Sequence, residues 1–202
     1  VQPNMAVEDK QLDANFFQHQ PYLDSFNKDR KTSLVIVPNG KVHVEPFGAY
    51  SSKIKNVKDL KDGASIAIPN DPSNGGRALI LLARQGLIEL KDPKSLTPTP
   101  LDITKNPKKL KFKELEAPLL PRALADVDLA LINTNYAIEA KLNPTKDALF
   151  IEGSDSPYTN IVAARGDRAN GADIATLMNA LHTPEVKKFI QDKYKGAVVP
   201  AF

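Results

Sequence analysis

The chain is expected to fold as an α/β protein with a largely parallel sheet, and three observations lead there. Strand-like and helix-like segments alternate, the candidate strands are short apolar runs ended by turn residues, and the helix-like segments repeat apolar residues three and four apart. Its 202 residues, 42% of them hydrophobic, suffice for one sizeable core or two small ones.

Strands are expected at SLVIV (33–37), VHVE (42–45), ASIAIP (64–69), LALIN (129–133), ALFI (148–151) and NIVAA (160–164). Three helices have clear support. In GGRALILLARQG, Ala78, Leu79, Leu81 and Leu82 share adjoining faces, and Gly86 is placed to end the helix in a left-handed conformation. In DIATLMNAL, Ile174, Leu177, Met178 and Leu181 recur at helical spacing behind Asp173 as N-cap. In TPEVKKFIQDKY, Thr183 caps, Pro184 suits the first helical position, and Val186, Phe189, Ile190 and Tyr194 make the buried stripe. Two proline-rich stretches, 91–109 and 116–124, read as surface connections or helix entries.

Composition excludes several classes. A net charge of +3 falls short of the basic footprint of a nucleic-acid binder, and the lysines of KNPKKLKFK (105–113) read as a solvated face. The absence of cysteine removes disulfides, thiolate catalysis and cysteine metal sites. His19, His43 and His182 lack the spacing of a helical metal pair, so neither a metal nor a cofactor is expected. No apolar run reaches the roughly 18–20 residues that cross a bilayer. The opening VQPNMAVEDKQLDANFF has no signal-peptide pattern and does not begin with Met, so processing or truncation upstream is expected.

Four stretches carry candidate chemistry. In IPNDPSNGGRALILL (68–82) a strand is expected to end at 69, a loop to run from Asn70 to Gly76, and a helix to start at about Arg77. Ligands in open α/β sheets sit at such strand ends. Gly75 and Gly76 would expose backbone amides to an anion, and Arg77 could grip a carboxylate through two parallel hydrogen bonds. The spacing fits neither a phosphate loop nor a dinucleotide fingerprint. The competing reading is an ordinary capped helix with a surface arginine. In DLALINTNYA, Asn133 ends a buried run; its amide suits a zwitterion, or else caps the next helix. In DANFFQHQPYL (13–23), Phe16, Phe17, His19 and Tyr22 crowd together as a clamp for an apolar or sulfur-bearing side chain, or as core, with His19 a hydrogen-bond donor or a helix cap. In SPYTNIVAARGD, Asn160 opens an apolar strand as a turn residue or ligand contact, and the RGD triplet is too short a match to weigh. No catalytic signature is present, and an enzyme is not expected.

Taken together, LDANFFQHQPYLDSFNKD, IAIPNDPSNGGRALILLARQGLI, NPKKLKFKELEAPLLPRAL, LALINTNYA and SPYTNIV resemble the methionine-binding lipoproteins of ABC importers, the MetQ or NlpA family, over nearly the whole chain. The resemblance implies a type II periplasmic-binding fold of two α/β lobes joined by two crossover strands, with lobe 1 formed by 1–48 and 161–202 and lobe 2 by 49–160. It implies a ligand-binding set of Phe17, His19, Arg77, Asn133 and Asn160, with Tyr22 secondary. Phe17 would clamp the ligand beside His19, Arg77 would hold its carboxylate, and the two asparagines would hold the amino-acid head group. Implied partners are methionine, an ABC permease with its ATPase, and the cell membrane, on which an N-terminal lipid anchor would hold the protein outside the cytoplasm, at the cell surface or in the periplasm. A surface adhesin or antigen, and a binder of D-methionine or a methionine-containing dipeptide, are the alternatives. The resemblance further implies a strand, a helix and a second strand ahead of Val1, with a ligand-packing tyrosine just before it and the lipidated cysteine further upstream.

Overall fold

The computed structural model describes residues 2–153 and 156–202. In chain order, α1 (Gln2–Glu8), β1 (Ala14–His19), α2 (Gln20–Arg30), β2 (Val35–Val44), β3 (Gly48–Tyr50), β4 (Ser65–Pro69) and α3 (Pro72–Arg84) come first. Then follow β5 (Glu89–Leu90), β6 (Ile103–Lys105), β7 (Lys111–Leu115), α4 (Leu120–Ala123), β8 (Leu129–Ile132), α5 (Thr134–Glu139) and α6 (Pro144–Asp147). The last elements are β9 (Phe150–Ile151), β10 (Thr159–Ala164), α7 (Ala172–Leu181), α8 (Pro184–Tyr194) and β11 (Val199–Pro200). The chain forms two compact units and changes from one to the other between Glu45 and Pro46, and again beyond Gly153.

The first unit is built on a sheet of order β1-β10-β2-β11. One of its two inner strands, β10, is apolar and buried from Ile161 to Ala164, where both faces are covered. Successive strand side chains point to opposite faces. Ile161 and Ala163 therefore pack with Val7 of α1 and Leu23 and Phe26 of α2, while Val162 and Ala164 pack with Ile174 and Met178 of α7. All pairings of this sheet are antiparallel, against the expected parallel bias. Only a strand–helix–strand crossover imposes parallel direction, and β10 enters the sheet from the other unit, not through one.

The segments expected as separate strands at 33–37 and 42–45 belong to one strand, β2, which leaves and rejoins its partner. Ile36 pairs with Ala163 and Lys41 with Ile161, so residues 37–40 form an excursion. Asn39 takes φ 55° there.

The second unit holds a mixed sheet of order β7-β4-β8-β3-β9. β4 runs parallel to β7 and β8, as the alternating pattern implies, and β3 runs antiparallel to β8 and β9. Ile66, Ile68, Leu129 and Leu131 form one core with Leu79 and Leu82 of α3. On the opposite face Ala67, Ala130 and Ile132 pack with Tyr50 and Leu120. Full burial of Leu79 and Leu82 contributes roughly 1.5–3 kcal/mol each.

Helix ends follow local chemistry. Thr183 Oγ1 accepts from the Val186 amide, and Gly86 at φ 71° closes α3 through Gly86 N–H to Ala83 O and Leu87 N–H to Leu82 O. Two expectations fail. Gly171, not Asp173, is the N-cap of α7; Asp173 lies in its first turn and pairs with Arg168. Phe189 is 55% exposed and lies under the Lys193 ammonium, 5.0 Å from its ring centroid, so the buried stripe of α8 narrows to Ile190 with Val186 and Tyr194 half-buried.

Candidate functional site

The residues singled out in the sequence fall into two groups, one in each unit. In the first unit, β1 ends at His19, and α2 starts on the next residue. His19 Nδ1 accepts the Tyr22 amide at 3.2 Å and so caps α2. An accepting nitrogen carries no proton, which in the neutral ring assigns the proton to Nε2 and makes that atom a donor. The ring, 6% exposed, stands edge-on to Tyr158 at 5.0 Å and to Tyr22 at 6.3 Å.

Phe17 is the extra residue of a β-bulge, since Phe16 pairs with Val162 and Gln18 with the adjacent Ile161. A bulge turns the side chain out of the regular alternation. Phe17 accordingly stays 42% exposed and meets Tyr22 edge-on at 6.1 Å. Asn160 lies directly across from His19 on one side and from His43 on the other. One sheet face and one helix start therefore gather Phe17, His19, Tyr22 and Asn160. Asn4, half-buried Asn15 and Gln18 form an amide network that ties α1 to β1.

In the second unit the opening of α3 departs from expectation. The helix begins at Pro72, with Asp71 as N-cap accepting the Asn74 amide at 2.9 Å, so Gly75 and Gly76 lie inside it rather than in a loop. The Gly75 amide is taken by Asp71 O. A Cβ on Gly75 would stand 2.8 Å from Pro69 O, and one on Gly76 2.7 Å from Leu96 O. The glycine pair lets the helix lie against the end of β4 and the 96–98 segment; it is a packing device, not an anion cradle.

Arg77, in the second turn, is 2% exposed and is no surface arginine. Its Nε donates to Glu152 Oε1 at 2.9 Å and its Nη2 to Glu152 Oε2. Glu152 Oε2 also accepts the Phe47 amide at 3.1 Å, and the guanidinium carbon lies 5.0 Å from the Phe47 ring centroid. Asn133 is the N-cap of α5 by position, yet its side chain makes no capping bond. Its Nδ2 donates to Asn74 Oδ1 at 2.9 Å. Asn133 Oδ1 is buried without a hydrogen-bond partner among the described residues.

Glu152, Asn74, Phe47 and Tyr158 were not singled out from the sequence. Glu152 has a readable signal: a carboxylate just past the apolar end of β9, where a buried charge needs a cation. Elsewhere, Arg165 of the RGD triplet is held inward, with Nη1 donating to Val7 O and Leu12 O. Among the described residues no group of His, Asp or Glu could hold a metal ion, and no helix is long and apolar enough to cross a membrane.

The probable D-methionine-binding lipoprotein MetQ of Pasteurella multocida is 50% identical over 199 residues, covering 98% of this chain and 71% of its own. A nutrient-binding protein from Burkholderia cenocepacia, solved bound to methionine, superposes with a TM-score of 0.96 at 50% identity, covering 100% of this chain and 84% of that one. A periplasmic substrate-binding protein of an ABC transporter from Coxiella burnetii gives 0.94 at 49% identity, over 98% and 83% of the two chains. The fold is thus the α/β fold of periplasmic substrate-binding proteins. Since the NlpA lipoprotein sequence model matches residues 1–202, this chain belongs to the NlpA lipoprotein family.

Proposed function

We propose that this chain is the extracytoplasmic substrate-binding protein of an ABC importer, that it captures methionine, with the L-enantiomer preferred, and that it performs no covalent step. The observation that carries this reading is the Burkholderia neighbour, half identical along the whole chain and holding methionine. The two residue groups supply matching chemistry. Phe17 and Tyr22 offer aromatic surface to a thioether, a contact worth ~0.3–1.5 kcal/mol. His19 stands beside this clamp, the Asn160 amide offers a polar contact to the head group, Arg77 takes the carboxylate, and Asn133 Oδ1 the ammonium. Each unit, Val1–Glu45 with Ser154–Phe202 and Pro46–Gly153, would contribute part of the set, so that ligand favours a closed state by differential contact.

Delivery would be to a membrane permease with its ATPase, from a position outside the cytoplasm held by a lipid anchor, in line with the family's lipoprotein character. D-methionine is the second reading, favoured by the name of the Pasteurella relative. Native mass spectrometry of the protein in an equimolar mixture of the common L-amino acids, then of D-methionine alone, tests both. A complex with one L-methionine is expected to dominate; retention of a different amino acid overturns the reading, and retention of D-methionine in preference to L- replaces it with the second.

A further inference from the structure

We propose that Asp71 and Asn74 are positioning residues that fix the side-chain amide of Asn133 with its oxygen outward, so that Asn133 selects the ammonium end of an amino-acid ligand. This deepens the reading above and rests on it.

Hydrogen-bond polarity sets each amide in turn. A carboxylate only accepts, whereas an amide donates from one end and accepts at the other. Asp71 receives the Asn74 backbone N–H at 2.9 Å, the Ser73 hydroxyl at 2.9 Å, and Asn74 Nδ2 at 3.1 and 3.0 Å from its two oxygens. Asn74 can offer that carboxylate only its NH2 group. Its Oδ1 therefore points onward and needs a donor, which Asn133 Nδ2 supplies at 2.9 Å. Asn133 is left with Oδ1 on the far side, buried and without a protein donor among the described residues.

The polarity of Asp71 thus passes through two amides and emerges as an acceptor. An asparagine at an N-cap ordinarily turns its oxygen onto the helix amides; Asn133 does not, because Asn74 holds its other end. A buried acceptor lacking a donor is costly, and an ammonium, with three donors and no acceptor, relieves that cost. A carboxylate at the same place would meet oxygen against oxygen. Head-group orientation is thereby fixed two residues away from the ligand.

Asp71→Asn separates this role from a structural one. Asparagine ranks with aspartate as an N-cap, so α3 keeps its cap, but the new side chain can present either end and frees Asn74 and Asn133 to turn. Calorimetric titration compares L-methionine with 4-(methylthio)butanoate, which lacks the ammonium. Expected is a loss of about tenfold for methionine, with 4-(methylthio)butanoate unchanged or tighter and the thermal midpoint within about 2 °C of the parent. Equal losses for both ligands, or no loss, overturn the relay. Failure of the parent protein to bind methionine overturns the functional reading instead. The relay then still faces neutron diffraction, where deuterium on the Asn133 atom facing Asn74 is expected and its placement on the opposite atom refutes it.

Discussion

Arg77 and Glu152 form a doubly hydrogen-bonded ion pair whose side chains are 3% and 4% exposed, contributed by α3 and by the residue after β9. Of the candidate contacts it is the most deeply buried charge, and burying two ions is tolerable only with such geometry. The pair therefore orients the guanidinium proposed to meet the ligand carboxylate, and under that proposal binding and folding draw on the same contact.

Removing one partner should expose that coupling. Arg77→Ala leaves Glu152 buried and uncompensated and is expected to lower unfolding free energy by about 3–5 kcal/mol, measured by urea denaturation, while abolishing methionine binding. The double variant Arg77→Met, Glu152→Gln is expected to recover most of the stability and none of the binding. Recovery of binding in the double variant would remove Arg77 from the site.

Phe17 should behave in the opposite way. With its ring 42% exposed on a bulge, Phe17→Ala is expected to change stability by less than about 1 kcal/mol. Methionine affinity should fall by tenfold or more, a loss of about 1.4 kcal/mol, because the side-chain contact disappears. Competition titrations with alanine and serine check this: losses equal to that of methionine would argue against an aromatic clamp.

Gly76 tests the packing account of the glycine pair. A methyl at this position meets Leu96 O at 2.7 Å and Thr97 Cα and Pro98 Cδ at 2.8 Å. In an open helix Gly→Ala stabilises, but here overpacking should cost about 1–3 kcal/mol. Gly166→Ala, where a Cβ meets nothing within 4 Å, is the control and should stay within about 0.5 kcal/mol of the parent. Chemical denaturation of both variants distinguishes the two sites.

Tyr50 makes a prediction about alkaline pH. Burial, reinforced by the charge of Asp147, pushes its phenol well above the ordinary tyrosine range. The folded state thus keeps a proton that the unfolded chain releases. The resulting stability is fully present below about pH 10 and is lost as pH climbs from there toward the raised value. Tyr50→Phe is expected to reduce the alkaline slope by about 1.4 kcal/mol per pH unit. At pH 7 the variant should equal the parent or exceed it by about 1 kcal/mol, since the Tyr50 hydroxyl is buried without a hydrogen-bond partner among the described residues. An unchanged alkaline limb would contradict this.

Much of the architecture was legible because it rests on local rules. The β4–α3 unit, the Gly86 stop, the Thr183 cap and the apolar β10 all follow from residue type and spacing. What was not legible depends on partners distant in sequence. The antiparallel first sheet follows from β10 arriving out of the other unit. The bulge at Phe17 follows from the register against 161 and 162. The start of α3 differs from expectation because Asn70–Gly76 has the composition of a loop, while Asp71 capping and Pro72 at the first turn make it helical from Pro72. For the candidate site, residue types at strand ends pointed to Arg77 and Asn133, but pairings separated by 75 and 59 positions, with Glu152 and Asn74, decide what those side chains can do.

The central claim, that this protein binds a single methionine through its charged ends and its thioether together, is met most directly by isothermal titration of L-methionine into the unaltered chain, with L-norleucine and 4-(methylthio)butanoate as comparisons. Saturable binding at one site per chain is expected, weakened by loss of the sulfur and more strongly by loss of the ammonium. No heat with methionine at millimolar concentration, or equal affinity for all three compounds, would contradict it.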